Sequence, residues 1–244
     1  MGNTEKKLTE AMEALDEGRY QYSFEIFKPL AEHGDPKAQF YLGFLYRIGQ
    51  AVKQDYQQAY HWYLLSAKQG YAEAQYKVGL MNYKGQVVDQ DYQKAFKWYS
   101  LAAEQGDIKA QFSLGVMYDN GQGVTQDYKK AFKWISLPAE KGDAKAQFFL
   151  GCMYEDGQGV TKKYTAAIKW YTLAAEQNEP MAQSNLGHLY ANGETGKLDY
   201  VQAHKWFNIS GSKEKENIEK LMSPNQITEA RKLAREWINE HKKH

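Results

Sequence analysis

Five glutamines, Gln39, Gln75, Gln111, Gln147 and Gln183, recur every 36 residues. Trp62, Trp98, Trp134, Trp170 and Trp206 keep the same interval, as do Gly43, Gly79, Gly115, Gly151 and Gly187. So do Ala59, Ala95, Ala131, Ala167 and Ala203, and no insertion interrupts the copies. A chain made of copies of one short unit is an array. Each unit is too small to bury its own apolar face, so stacked neighbours must supply the core.

Each copy reads as two helices. The first, near 36–48, places Ala38, Leu42, Leu45 and Tyr46 at helical spacing, with Gly43 where another helix can approach closely. Asp35-Pro36 supplies an N-cap followed by proline at the first helical position. Gly49, the pair Gly121/Gly123 and the pair Gly157/Gly159 end the first helix. The second helix starts at Asp55, Asp91, Asp127 or Asp199 and is expected to carry Tyr56, Ala59, Trp62 and Tyr63 inward. It stops at Gly70, Gly106 and Gly142, with Asn178 as the one other residue tolerant of the left-handed cap. Pro138, where the other copies have Ser or Ala, predicts a kink or early end of its helix, and Pro29 the same in the first hairpin.

The ends depart from the repeat. Leu8 to Gly34 holds a shorter unit whose Ala11, Leu15, Gly18 and Tyr20 resemble a tetratricopeptide repeat. After Gly211 the period is lost, and Ser223-Pro224-Asn225-Gln226 forms a capping box. The helix behind it presents Ile227, Ala230, Leu233 and Trp237 as a lid for the last repeat. The expected organisation is one repeat domain, 1–244: a tetratricopeptide-like unit at 1–35, five 36-residue repeats at 36–211 and capping helices at 212–244.

The pattern A-x-A-Q-x(2)-L-G-x(2)-Y-x-x-G-x-G-V, then D-Y-x-x-A-x-x-W-Y-x(2)-A-A-x-x-G, resembles the Sel-1-like repeat, a branch of the tetratricopeptide superfamily. The closing LMSPNQITEARKLAREWINEH is similar to the end of many bacterial members. Lys163 in place of a capping Asp, Asn82 in place of Tyr, and the loop GETGKLD without its glycine pair are departures. The resemblance implies an all-α, right-handed α/α superhelical solenoid of about six helical hairpins with a C-terminal capping helix. It also implies a scaffold or adaptor role in assembling protein complexes. Some cysteine-rich relatives are linked to penicillin binding, but their paired cysteines are missing here.

Composition narrows the function. The 31 Lys and Arg against 30 Asp and Glu give a net charge of +1, which offers no general attraction for nucleic acid or acidic membranes. An apolar fraction of 43% excludes a disordered chain, and no apolar run is long enough to span a bilayer. The start, MGNTEKKLTEAMEA, has no signal-peptide core, so the chain as it stands reads as cytoplasmic. A periplasmic or secreted location follows if a leader has been removed.

Catalytic motifs are absent: no Walker loop, no GxSxG, no His-Glu-x-x-His. The Gly-Gln-Gly pairs read as turns rather than phosphate cradles, and Asp119-Asn120-Gly121 lacks calcium-loop spacing. His33, His61, His188, His204, His241 and His244 show no ligand spacing outside the C-terminal tail. Cys152 and His188 hold equivalent positions in successive first helices, so a Cys–His nucleophile is conceivable but lacks an orienting third group. No enzyme activity, cofactor or metal is expected.

Positions alike in every copy serve the scaffold; positions that differ are free to serve one partner. On the first helix the variable set is an i, i+4, i+7, i+11 stripe, hence one face. It comprises Tyr41, Phe44 and Ile48; Lys77, Leu80 and Lys84; Ser113 and Val116; Phe149; and Asn185 and His188. Tyr41, Phe44, Leu80 and Phe149 would form an exposed apolar strip rimmed by lysines in a concave groove. The competing reading is that some of these rings pack between repeats. The row His61, Lys97, Lys133, Lys169 and Lys205 reads as a solvated convex surface. The function expected is recognition of a peptide or protein partner in the groove by a monomer. The alternative is an enzyme or envelope-glycan binder using the same groove.

Overall fold

The computed structural model describes residues 2–194 and 196–241, which hold 14 helices and no strand. The chain divides into two compact units, residues 1–126 and 127–244. The first contains α1 (Asn3–Asp16), α2 (Tyr20–Glu32), α3 (Pro36–Ile48), α4 (Tyr56–Lys68), α5 (Ala72–Lys84), α6 (Tyr92–Glu104) and α7 (Ile108–Asn120). The second contains α8 (Tyr128–Glu140), α9 (Ala144–Asp156), α10 (Tyr164–Glu176), α11 (Pro180–Ala191), α12 (Tyr200–Ile209), α13 (Glu214–Glu219) and α14 (Pro224–His241). Within each unit every helix up to α13 packs on the next in sequence, and α14 packs on α12. Each core is a series of linked clusters rather than one centre.

Caps set the helix boundaries. Asp35 accepts from the Ala38 amide at 2.8 Å, and Asp55, Asp91, Asp127 and Asp199 cap α4, α6, α8 and α12. Each such cap is worth about 1 kcal/mol. Lys163 leaves α10 without a side-chain cap, as its chemistry requires. Asn178 takes φ 63°, in the left-handed region that Gly70, Gly106 and Gly142 hold at the same place in the three preceding copies. The capping box at α14 forms in both directions: Ser223 N–H donates to Gln226 Oε1 at 2.9 Å, and Gln226 N–H to Ser223 Oγ at 3.4 Å.

The helical glycines explain how paired helices meet. A Cβ added at Gly43, Gly79, Gly151 or Gly187 would stand 3.0, 2.7, 2.5 or 2.5 Å from the ring of Tyr63, Tyr99, Tyr171 or Phe207 respectively. These four rings are fully or almost fully buried. Seating one such ring against a bare backbone contributes roughly 2–3 kcal/mol of burial.

Two expectations from the sequence, an early helix end at the prolines and an inward Tyr56, do not hold. Neither proline ends its helix: α8 runs to Glu140 through Pro138, and α2 to Glu32 through Pro29. Both prolines lie in the last turn, where only one upstream carbonyl loses its donor, and the closing bonds lie beyond them. Asp143 N–H still reaches Pro138 O at 3.0 Å, matching Asp107 N–H to Ala102 O at 3.1 Å in the copy before. Nor does Tyr56 point inward. It is 48% exposed and Tyr128 37% exposed. As first residue of its helix, Tyr56 lies along the preceding loop, where Gln54 Nε2 donates to its hydroxyl at 3.1 Å. Trp62, Trp98, Trp134 and Trp170 are half-buried, so the Tyr63 position, with the invariant alanines, forms the core of the second helices. In α14 Ala234 is buried where the sequence pointed to Leu233, which is half-buried.

The loop glycines supply a stability prediction. Gly123 and Gly159 take φ 69° and 70°, and a Cβ there would lie 2.3 and 2.0 Å from the carbonyl oxygens of Tyr92 and Tyr128. In the earlier copies Ala51 and Val87 hold that place at φ 67° and 74°. A β-branched residue in this region is strained by about 1–2 kcal/mol. Val87→Gly should therefore raise stability by about 1 kcal/mol, whereas Gly123→Val should lower it by more than that. Urea denaturation of the two variants checks the pair, and a loss on Val87→Gly would contradict the strain. Gly151→Ala should cost about 2 kcal/mol despite the better helix propensity of alanine, because the Tyr171 ring is pinned by hydrogen bonds. Gly43→Ala, facing a Tyr63 hydroxyl with no hydrogen bond, should cost less. Equal losses in thermal melts would refute that difference.

Candidate functional site

The variable stripe was read from one face of the first helices, and its members are placed as follows. In the first unit Tyr41, Phe44 and Lys77 line an open recess of about 600 Å³, together with Phe40, Tyr76 and Ile108. Leu80, Lys84, Ser113 and Val116 line a second recess of about 170 Å³ with Tyr83, Tyr99 and Phe112. Ile48 lines neither; it is half-buried against the cluster of Leu8, Phe27 and Leu45. In the second unit Phe149 is half-buried and edge-on to Phe148 at 5.6 Å. Asn185 donates to the Tyr171 hydroxyl at 3.0 Å, and His188 is exposed with its ring edge-on to Phe207 at 4.9 Å.

The expected strip of exposed rings is corrected by these placements. Tyr41, Phe44, Leu80 and Phe149 are all half-buried. Tyr41 stacks on the buried Phe27 at 5.0 Å and 12°, so one of its faces packs between repeats while its other atoms line the recess. Periodicity identifies a face but not how far neighbouring helices cover it.

Charge in the first recess is mixed. Asp16, Glu73 and Asp107 face Lys77 and Lys109 across it. Burial holds Lys77 below the usual lysine range, and the cations Arg47 and Lys109 add to the effect, with Asp107 opposing it. Burial raises the Asp107 carboxyl, although it accepts the Ala110 amide at 2.7 Å as the cap of α7.

One set of groups escaped sequence reasoning altogether. The second-helix tyrosines were assigned wholly to the core, yet their hydroxyls reach the variable residues of the first helices. Tyr171 donates to Glu155 Oε2 at 2.6 Å, approaches Cys152 Sγ at 3.2 Å and accepts from Asn185. Burial first, then Cys152 and Glu155, raises its phenol. Tyr63 is pushed up to about 12 by burial, with the Arg47 guanidinium beside it opposing. The available signal was the column itself, which reads Tyr63, Tyr99, Ile135, Tyr171 and Phe207. A core position that alternates between phenol and plain hydrocarbon marks hydroxyls with local duties.

The setting of Cys152 disfavours its thiolate. Burial pushes its thiol up to about 11, and its hydrogen bond runs to Tyr171 rather than to His188. Its iodoacetamide labelling at neutral pH should be about a hundredfold slower than that of a free cysteine, in line with the smaller thiolate fraction, and should accelerate up to pH 11. Rapid labelling at pH 7 in the folded chain would show an activated thiol instead. Among the described residues no three His, Cys, Asp or Glu side chains gather as a metal site. His241 stacks on Trp237 at 3.9 Å; His244 lies outside the described residues.

The five copies match the Sel1 repeat profile at residues 36–71, 72–107, 108–143, 144–179 and 180–213. The chain belongs to the Sel1 repeat family. Among solved structures this Sel1 repeat chain is similar to a protective antigen of uropathogenic Escherichia coli with an SLR fold, at 34% identity and a TM-score of 0.82. That match covers 91% of this chain and 49% of the antigen, so the chain spans about half the length of its relative. A Sel1 repeat protein from Oxalobacter formigenes is also 34% identical, with a TM-score of 0.74 over 86% of this chain and 87% of that one. A Sel1 repeat protein from Klebsiella pneumoniae, 22% identical, shares the fold at a TM-score of 0.50 over 80% and 95% of the two chains. A search of curated proteins finds no match. No helix among the described residues is long and apolar enough to cross a membrane.

Proposed function

We propose that this Sel1 repeat chain is a non-enzymatic scaffold or adaptor that holds a segment of a partner protein against the first helices of its repeats. The observation that carries the reading is the pair of recesses in the first unit, of about 600 and 170 Å³. Both are lined by positions that the repeat leaves free to vary. Half-buried rings and aliphatic chains there offer anchoring pockets, and lysines and carboxylates beside them offer polar contacts that fix orientation. The protonated thiol of Cys152 speaks against the enzyme reading, since it was the only nucleophile that the sequence brought forward.

Leu80 and Val116 make the better test, because Tyr41 also stacks on the core. Leu80→Arg with Val116→Arg should weaken partner binding by about thirtyfold or more, equivalent to about 2 kcal/mol at a central anchor, with melting little changed. Lys97→Ala with Lys133→Ala, on exposed faces of the second helices, should leave binding and stability alone. Binding would be measured by titration calorimetry against the partner recovered by cross-linking to the intact chain. If the lysine pair abolishes binding and the recess pair does not, the recesses are not the partner site.

A further inference from the structure

An aromatic pair recurs where a first helix meets the second helix of the copy before it. Tyr46 meets Phe24 edge-on at 6.3 Å, Tyr118 meets Phe96 at 5.3 Å and Tyr154 meets Phe132 at 5.5 Å, all within the range such pairs favour. One copy lacks the ring: Asn82 stands at that place, opposite Tyr60. Its Nδ2 donates to Val78 O at 2.8 Å and to the Tyr60 hydroxyl at 3.4 Å, and the residue is 2% exposed. The backbone has not closed over the missing ring. Asp91 N–H donates to Asn82 O at 3.0 Å, just as Asp55 N–H donates to Tyr46 O at 3.0 Å, so the loop keeps the anchor it has behind a tyrosine. What remains is an open recess of about 630 Å³, lined by Tyr60 and Asn82 together with residues 87–91 and Lys94. Asn82 follows Leu80 by two residues, roughly 200° round α5. The recess therefore opens on another face of that helix than the smaller recess lined by Leu80.

We propose that this recess is a second docking site, in which a tyrosine side chain of a partner protein takes the place that Tyr46 and Tyr118 fill in the flanking copies. The repeat itself supplies the template for the occupant, since the scaffold around position 82 is the one that seats a phenol ring elsewhere in the array. An incoming ring packs edge-on to Tyr60 and covers Val87 and Val88, which gives it apolar contact and an aromatic partner at once. Charge narrows what flanks the ring. Asp91 is committed to the Lys94 amide as the cap of α6 and to Lys94 Nζ at 3.0 Å. Asp89 is exposed on the rim and forms no salt bridge among the described residues. A Lys or Arg next to the docked tyrosine meets that carboxylate, a modest gain typical of surface pairs.

The test uses p-cresol, the tyrosine side chain cut free of its backbone, and the peptide acetyl-Gly-Lys-Tyr-Lys-Gly-amide on the intact chain, followed by amide NMR. Both should shift the Asn82 side-chain amide and the backbone amides of residues 87–91 saturably. The peptide should bind about tenfold or more tightly than its Tyr→Ala version, and Asp89→Asn should shrink its advantage over a Glu-Tyr-Glu version. Asn82→Tyr, which refills the gap, should melt no lower than wild type and respond to neither probe. If it melts early, Tyr60→Phe with Asn82→Tyr restores the pair of the flanking copies and should behave as stated. Early melting of both variants would show that the space does not fit a ring and overturn the site. So would shifts that persist in a well-folded Asn82→Tyr, or no shift at all in wild type. Binding of p-cresol without the peptide would make it a site for small phenols and overturn the partner. Shifts of the same amides on diluting the chain alone would put a second copy there instead.

Discussion

A buried amide ties the architecture together. In every copy the first-helix glutamine is nearly inaccessible, at 4–5% exposure, and its Nε2 donates at 3.2 Å to a carbonyl at the end of the preceding second helix. The acceptors are Ala31, Ala67, Ala103, Ala139 and Ala175, each eight residues back. In three copies the amide oxygen then accepts from the glutamine that closes the following helix: Gln69 to Gln39, Gln105 to Gln75 and Gln177 to Gln147, at 2.7–2.8 Å. One side chain thus adds a second donor to a helix-end carbonyl that already accepts a turn N–H, and in those three copies it links three consecutive helices. Burying an amide costs least when its donors and acceptors are met; the donor is met in every copy, whereas the Gln111 oxygen is buried without a partner.

That constraint fixes how the paired helices sit, and the glycine–aromatic contact follows from it. With the chain ends held by the glutamines, the middle of the first helix comes so close to the second that only a bare Cα leaves room for the ring opposite. The ring is then carried past the core, and its hydroxyl emerges among residues that the repeat does not prescribe. This is how an invariant scaffold supports different local chemistry: the Tyr171 hydroxyl meets Glu155 and Asn185, whereas Tyr63 lies beside the Arg47 guanidinium. A repeat family can diversify its surface this way without disturbing the stack.

The C-terminal end uses other means. His204 is buried, and its Nε2 meets Glu219 Oε1 at 2.7 Å, the same oxygen that Arg231 approaches at 2.8 Å. This network joins α12, α13 and α14 where the period has run out, while Trp206 meets Trp237 edge-on at 5.9 Å. The sequence showed the capping box and the apolar face of α14. It did not show that a histidine would be enclosed, since a lone histidine at no recognisable spacing carries no signal of its surroundings.

What the sequence determined alone was everything that repeats or acts locally. The period, the pairing of helices, the aspartate caps, the left-handed turn at Asn178 and the close approach at Gly43 all follow from residue chemistry within a few positions of the chain. Only the tertiary structure decided the rest, because it depends on which atoms from different helices converge. It showed that the glutamines are buried links and not mere markers of the period. It turned the outward strip of Tyr41, Phe44, Leu80 and Phe149 into half-buried recess walls, and let Pro138 pass because the bonds that close its helix lie downstream. The enclosure of Arg47 Nε beside the Tyr63 ring is likewise decided only where α3 and α4 meet.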